Sequence, residues 1–325
     1  MKPAIRPFTA DDYPALVDVL NAVHPEHPTT VDEVLFADDH RDDNCLFERW
    51  LGERDERVVG VAEFGQATGW YHPRKFWMEL AVHPDHQGRG VGAALYAHVL
   101  SRLLPLDPLV VHAGAREDKL HSIQFLLNRG FTERMRSWES RLHVAAFEPT
   151  PFAGVRESVR AHGIDIKTLG ELATDPDRDV KLYELDWELD QDVPQSEPIT
   201  RVSYDWWRQH VLENPNLLPD GYFVAVDGDT YVGESTLWAS QGIPDLYTGL
   251  TAVKRAYRRR GIALALKLEA IAYAKAHGHP TIRTWNECHN RPMLAINERL
   301  GFVKQPASIE FVKVFQTENQ AEDGQ

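Results

Sequence analysis

The sequence predicts an α/β (α+β) chain made of two tandem copies of one domain, and three observations predict it. Landmarks recur at one fixed spacing: Val82 and Val253, Gly90 and Gly261, and the pairs Gly130-Phe131 and Gly301-Phe302 all lie 171 positions apart. That period is the size of a domain and far too long for a solenoid repeat. Each copy also runs through the same order of helix, strands, Gly-containing turn, helix, short strand and helix. Finally, 325 residues with 43% hydrophobic content are enough for two ordinary cores.

The elements follow in order. "TADDYPALVDVLNAV" has apolar side chains at helical spacing, with Thr9 or an Asp as N-cap candidate. "CLFERWLGERDERVVGVAEF" reads as two strands around a tight turn. Its counterpart "YFVAVDGDTYVGESTLW" places Asp-Gly-Asp between alternating apolar runs, a hairpin signal. "FWMELAV" and "DLYTGLTAV" are the next strands, and a Gly-containing turn opens a helix after each. In the second copy that helix is "GIALALKLEAIAYAKAHG", rich in Ala and Leu, with Gly278 at its C-terminal end. Short buried strands follow, "PLVVHA" and "PTIRTW", then a helix ending in Gly-Phe. A last strand closes each copy, "WESRLHV" or "IEFVKVF". The expected boundaries are a first domain over 1–150, a Pro- and Gly-bearing linker over 151–163, a second domain over 164–318, and a frayed polar tail over 319–325.

Composition narrows the function. The net charge is −14, from 49 acidic and 35 basic side chains, which disfavours nucleic acid as a partner and is compatible with a cationic small molecule. Two distant cysteines, Cys45 and Cys288, make no disulfide framework. The N-terminal stretch has no uninterrupted apolar core of a signal peptide, and no window approaches the roughly 20 apolar residues of a membrane span. A cytoplasmic protein away from the membrane is the expectation; the sequence leaves oligomeric state open.

The turn carries the chemistry. A strand that enters a Gly-rich turn and then a helix presents main-chain N–H groups with no intrahelical partner, and the helix dipole adds partial positive charge. Phosphate is the natural ligand. Arg89 adds charge in the first copy and Arg258, Arg259 and Arg260 in the second, which suits a diphosphate or a 3′-phosphate better than a carboxylate. Gly88-x-Gly90-x-x-Ala93 also satisfies the dinucleotide-binding pattern. Against that reading, the turn lies deep in the domain and the acidic residue expected about 20 positions later is missing. Arg259 also stands where the first Gly should be. A P-loop is excluded, because neither turn continues into Gly-Lys-Ser/Thr.

What both copies share is Gln or Arg, two residues, Gly, one residue, then Gly or Ala. "ELAVHPDHQGRGVGAAL" with "NRGF", and "TAVKRAYRRRGIALAL" with "NECHNRPMLAINERLGF", resemble the GNAT superfamily of acyl-CoA-dependent N-acetyltransferases in its tandem two-domain form. The resemblance implies two GNAT-like domains, each a mixed, mostly antiparallel central sheet flanked by helices. It implies acetyl-CoA as cofactor and the amine of a small acceptor as partner. It also implies that the strand ends Leu80, Ala81, Val82 and Thr251, Ala252, Val253 lend main-chain groups to the pantetheine arm and the thioester. The turns, Gln87, Gly88, Arg89, Gly90, Val91, Gly92, Ala93 and Arg258, Arg259, Arg260, Gly261, Ile262, Ala263, Leu264, would take the pyrophosphate. Asn290 matches a family Asn that faces the cofactor, where the first copy has Lys119.

Acetyl transfer to an amine needs a base, donors for the oxyanion, and help for the leaving thiolate. The main-chain N–H of Val82 or Val253 is the oxyanion candidate. Many family members carry a Tyr acid four residues before the Gly of Gly-Phe; here Leu126 and Asn297 stand there, and neither is an acid, while Asn297 joins Asn290 as a cofactor-binding candidate. Glu79 is the base candidate in the first copy, set in the apolar run "FWMELAV", where burial raises a carboxyl pKa; the alternative is a carboxylate on an exposed strand face. Leu250 occupies its place in the second copy, whose candidates are Glu234 and Glu287, both open to the same alternative. The pairs in "HPEH" and "HPDH" lack a Cys or carboxylate cluster at zinc spacing, so no metal site is expected. Trp206-Trp207 reads as core or as a pocket wall. Two further readings stay open: an acyl-CoA sensor with degenerate chemistry, and one catalytic copy beside a scaffold.

Overall fold

The computed structural model describes residues 3–316; the expected tail at 319–325 lies outside them. In chain order the elements are β1 (Ala4–Pro7), α1 (Tyr13–Val23), α2 (Val31–Asp39), β2 (Phe47–Arg54), β3 (Arg57–Gly65), β4 (Lys75–Val82), α3 (Val91–Leu103), β5 (Val110–Arg116), α4 (Leu120–Leu127) and β6 (Thr132–His143). There follow α5 (Val155–Ala161), β7 (Ile164–Thr168), α6 (Arg178–Asp190), α7 (Tyr204–Val211), β8 (Leu217–Asp227), β9 (Thr230–Trp238), β10 (Leu246–Val253), α8 (Ile262–Ala276), β11 (Thr281–Glu287), α9 (Arg291–Leu300), β12 (Val303–Lys304) and β13 (Ser308–Val314).

These elements form two compact units. Among the described residues the first gathers 3–136, 196–200 and 308–316, and the second 137–195 and 201–307. The first unit's sheet runs β1-β2-β3-β4-β5-β13. Its neighbours are antiparallel except β4 and β5, which are parallel. Strand alternation gives each face its own core. Val59, Ala62 and Phe64 of β3 turn toward α3, joining Val91, Leu95 and Val99, while Val61 turns the other way to join Leu16 and Val19 of α1. The second unit repeats the plan with β7-β8-β9-β10-β11-β6, where β10 and β11 are the parallel pair. Here α8 covers one face and α6 with α7 the other. Each unit is thus a mixed, mostly antiparallel sheet flanked by helices, as expected.

The closing strands correct the sequence reading. Each was expected in its own copy, yet residues 137–143 of β6 pair with β11 of the second unit, and β13 pairs with β5 of the first. Ile309 and Phe311 of β13, 3% and 1% exposed, fill the first core, and Leu142 of β6 fills the second. Apolar alternation identifies a strand but not its partner. Residues 151–163 also differ from a linker. They contain α5, and Phe152 and Val159 are buried in the second unit's core. Gly154 caps α5 at φ 82°, so the Gly that read as a loop signal is a helix start.

The parallel pairs set up the site. β4 and β5 pair at Lys75–Val110, Phe76–Val111 and Trp77–His112, and then no ladder joins the last five residues of β4 to β5 among the described residues. β10 and β11 pair at Leu246–Ile282 and Tyr247–Arg283 and part in the same way.

Candidate active site

In the first unit the N–H of His83 donates to Val59 O at 2.9 Å. Antiparallel pairing alternates, so Glu79 and Ala81 spend their main-chain groups on β3, while Leu80 and Val82 direct theirs into the space that β5 leaves. Gln87 Nε2 donates to Val82 O at 2.9 Å and ties the turn to that strand end. Gly88 (φ 70°) and Gly90 (φ 84°) lie in the left-handed region, and a Cβ on either would meet nothing within 4 Å. The first helical bond runs from Ala94 N–H to Gly90 O, so the N–H groups of Val91, Gly92 and Ala93 have no intrahelical partner. Arg89 is exposed beside them. The turn faces open space, as an anion site requires.

The second unit repeats this with substitutions. Lys254 N–H donates to Val232 O at 2.9 Å, so Thr251 and Val253 face the gap and Ala252 faces β9. Arg258 does what Gln87 does, its Nε donating to Val253 O at 3.0 Å. Arg259 adopts φ 63° where the first copy has Gly88, and Gly261 caps α8 at φ 79°. The N–H groups of Ile262, Ala263 and Leu264 precede the first helical bond, Ala265 N–H to Gly261 O. Two differences stand out. Asp192 holds both Arg255 and Arg258, which neutralises one of the three turn arginines, and Arg260 Nη2 donates to Ala256 O at 3.1 Å. β10 also carries a register shift between Thr248 and Thr251, where β4 is regular.

Of the base candidates, Glu79 stands opposite Glu63 on β3 and shares the face covered by α1. Its side chain is 51% exposed, on the strand face that packs under α1. Desolvation, with repulsion from Glu63, pushes its pKa up to about 7. His24 Nε2, at the C-terminal end of α1, lies 3.9 Å from Glu79 Oε1. Burial holds His24 below the ordinary imidazole range, and His27 and Lys119 add to that. Glu234 is fully buried and accepts the hydroxyl of Tyr222 at 2.7 Å; burial raises its pKa well above the carboxylate range. Burial also pushes Glu287 up, but bonds from Cys288 and His289 outweigh it and hold the carboxyl below its usual value. Glu287, Cys288 and His289 bring a carboxylate, a thiol and an imidazole within 4.8 Å of one another, a donor set the sequence reading did not single out.

Asn290 caps α9, its Oδ1 accepting from Met293 N–H at 3.4 Å. Asn297 is 1% exposed and donates to Asn286 Oδ1 at 2.6 Å, and Leu126 is packed in the first core. Trp207 is buried while Trp206 stacks on His210. The sequence reading missed Glu63 and His24. Glu63 had a signal: it stands 171 positions before Glu234. His24 had none, because only folding brings the end of α1 to β4.

Residues 8–131 and 180–302, one stretch per copy, match the profile of the Acetyltransferase (GNAT) family. The chain belongs to that family. It is similar, at 23% identity over 299 residues, to a mycothiol acetyltransferase of a Nocardioides species, covering 82% of this chain and 95% of the relative. A second mycothiol acetyltransferase, from Streptomyces scabiei, is 24% identical over 227 residues, covering 69% and 67%. Among solved structures, a tandem GNAT protein from the clavulanic acid biosynthesis pathway has a TM-score of 0.76 at 18% identity, covering 96% of this chain and 98% of that one. A GCN5-related N-acetyltransferase from Sphaerobacter thermophilus has a TM-score of 0.69 at 18% identity, covering 97% and 96%. At these identities the structural likeness shows the fold, and it extends the tandem GNAT plan over nearly the whole chain. GNAT proteins use acetyl-CoA, and the first unit's turn presents the N–H groups of Val91, Gly92 and Ala93 beside the exposed Arg89. No helix among the described residues is long and apolar enough to cross a membrane.

Proposed function

We propose that this GNAT protein transfers the acetyl group of acetyl-CoA to the amine of a small acceptor. The observation that carries the reading is the parting of β4 from β5 directly ahead of an open, positive-φ turn, repeated at β10 and β11. Acetyl-CoA would supply the activated acetyl thioester. The amides of Val91, Gly92 and Ala93 with Arg89 would hold its diphosphate, and Leu80 and Val82 would hold its arm. Ile262, Ala263 and Leu264 with Arg259 and Arg260, and Thr251 with Val253, are the second set. Glu79 takes the proton from the acceptor ammonium, and a pKa of about 7 suits that task. His24 then offers the proton an outlet. Val82 N–H, aimed into the gap, donates to the acyl oxygen as charge builds there. With Leu126 in the acid position, the thiolate leaves unprotonated, which its roughly Cys-like basicity of about 8.5 allows.

A second reading puts transfer in the second unit with Glu234 as base. The register shift in β10 favours it, since such irregularities concentrate beside active sites. Acetyl-CoA consumption against an amine panel tests both readings, with Gly90→Asp and Gly261→Asp assayed singly. The names of the relatives make a mycothiol-type amine the first acceptor to try. Loss of turnover in Gly90→Asp alone supports the Glu79 cleft, and loss in Gly261→Asp alone moves catalysis to the second unit. A folded protein that turns over no amine ends the transfer reading.

A further inference from the structure

Two carboxamides in the second unit make only half of the contact open to them. Asn297 of α9 is 1% exposed, and its Nδ2 donates to Asn286 Oδ1 on β11 at 2.6 Å. Facing carboxamides can close two such bonds, one in each direction. The second bond is missing here. Among the described residues no donor reaches the buried Asn297 Oδ1, and no protein group accepts from Asn286 Nδ2. One acceptor and one donor are left over on two joined amides. The pair stands where the strands part. β10 and β11 last meet at Tyr247–Arg283, and Asn286 lies beyond that point on the free stretch of β11. Strand alternation puts it on the face of Ile282, which packs in the core under α8, the helix that opens at the Gly261 turn. The first unit has an apolar pair instead. The residues 171 positions earlier are Ala115 and Leu126, both in the first core. The same fold thus accepts apolar side chains at these places, and they avoid the free-energy cost of a buried carbonyl without a donor.

We infer that Asn286 and Asn297 hold a secondary amide of the cofactor's arm in the second unit, Asn297 Oδ1 accepting its N–H and Asn286 Nδ2 donating to its C=O. A secondary amide offers one donor and one acceptor, the complement of what the two side chains leave over. A carboxylate or a phosphate has no N–H to give Asn297, and an ammonium has no lone pair to take from Asn286. The inference rests on the reading that acetyl-CoA lies along the parted strands, since its pantetheine arm carries secondary amides. It adds a contact that only one unit can make. In the first unit Leu80 and Val82 would meet the arm with main-chain groups, and Ala115 and Leu126 have nothing to add. In the second unit the side chains read the arm as well. Asn297 acts twice, through its own Oδ1 and as the positioning residue that fixes the Asn286 carboxamide.

The test is calorimetry on the full chain carrying Gly90→Asp, which leaves the second turn intact. The probes are CoA and adenosine 3′-phosphate 5′-diphosphate, which keeps the phosphates and lacks the arm. Asn286→Ala with Asn297→Leu installs the first unit's pair. The double variant should weaken CoA roughly ten-fold, as the loss of two hydrogen bonds implies, and leave the nucleotide unchanged. Its ligand-free melting temperature should hold or rise, because no buried amide is left unpaired, whereas Asn286→Ala alone should lower it by stranding Asn297. Unchanged CoA affinity, or an equal loss for both probes, overturns the inference. A double variant that melts as low as Asn286→Ala marks the pair as structural and overturns it too. Should the double variant fail to fold, the preference for CoA over the nucleotide still decides: it should be larger in Gly90→Asp than in Gly261→Asp, and equal preferences, or CoA bound only in Gly261→Asp, overturn the inference. If CoA binds none of these proteins, the cofactor reading itself falls. If CoA binds and only the Asn comparisons fail, the cofactor reading stands without this contact.

Discussion

Two things raise the pKa of Glu79: desolvation on a strand face under α1, and the like charge of Glu63 opposite. Its folded pKa of about 7 lies above the roughly 4.3 of an unfolded Glu, so the proton favours the folded state. That contribution is complete below pH ~4 and disappears as pH rises through 7. For the proposed catalysis the dependence runs the other way, because a base must be unprotonated to act. We expect kcat/KM to fall about ten-fold per pH unit below 7, and Glu79→Gln to lose that limb together with roughly 10²- to 10⁴-fold in rate. A pH–rate profile of both proteins checks it; an unchanged limb in the variant assigns the titration to another group. The place of Glu79 on a strand was legible because strand alternation and an apolar run are local. The bond between Asn297 and Asn286 was not, since nothing near either in sequence says that the two meet.

At the scale of elements, α3 positions the turn and the sheet positions α3. The helix approaches closely because Gly60 has no side chain: a Cβ there would lie 2.9 Å from Leu95 Cδ1, 3.1 Å from Val91 Cγ1 and 3.2 Å from Ala81 O. Gly52 repeats the contact at 3.3 Å from Val91. Gly60→Val should cost about 1–3 kcal/mol through overpacking, read as a lower urea midpoint. It should also weaken CoA, since the shifted helix carries the amides of Val91 to Ala93. A midpoint loss with unchanged CoA affinity would show that the turn holds its shape without α3. The turn itself was readable because glycine at positive φ leaves a mark in sequence. The register shift at Thr248–Thr251 was not, because register belongs to a pair of strands. Gly154 misled for a related reason, since glycine marks a helix start as readily as a loop.

At the scale of the molecule, the two copies are separable in sequence and not in structure. Each sheet takes its sixth strand from the other copy, and residues 196–200, between α6 and α7, also belong to the first unit. There Glu197 bonds Lys75 Nζ at 2.8 Å, and Thr200 N–H donates to Gly69 O at 2.8 Å. The repeat itself was plain from constant spacing, but a repeat cannot say whether its last strand stays home, because long-range pairing has no local signature. The exchange has a consequence for dissection. Residues 1–150 alone lack Ile309 and Phe311 from their core and leave β5 with an open edge, a template for aggregation. Residues 1–131 joined by a flexible linker to 308–316 restore both. The first fragment should aggregate or unfold without cooperativity, while the second should melt in a single transition by circular dichroism. If 1–150 melts just as cooperatively, its own "WESRLHV" can replace β13 beside β5, and the exchange is a choice between near-equal pairings rather than a requirement of the first core.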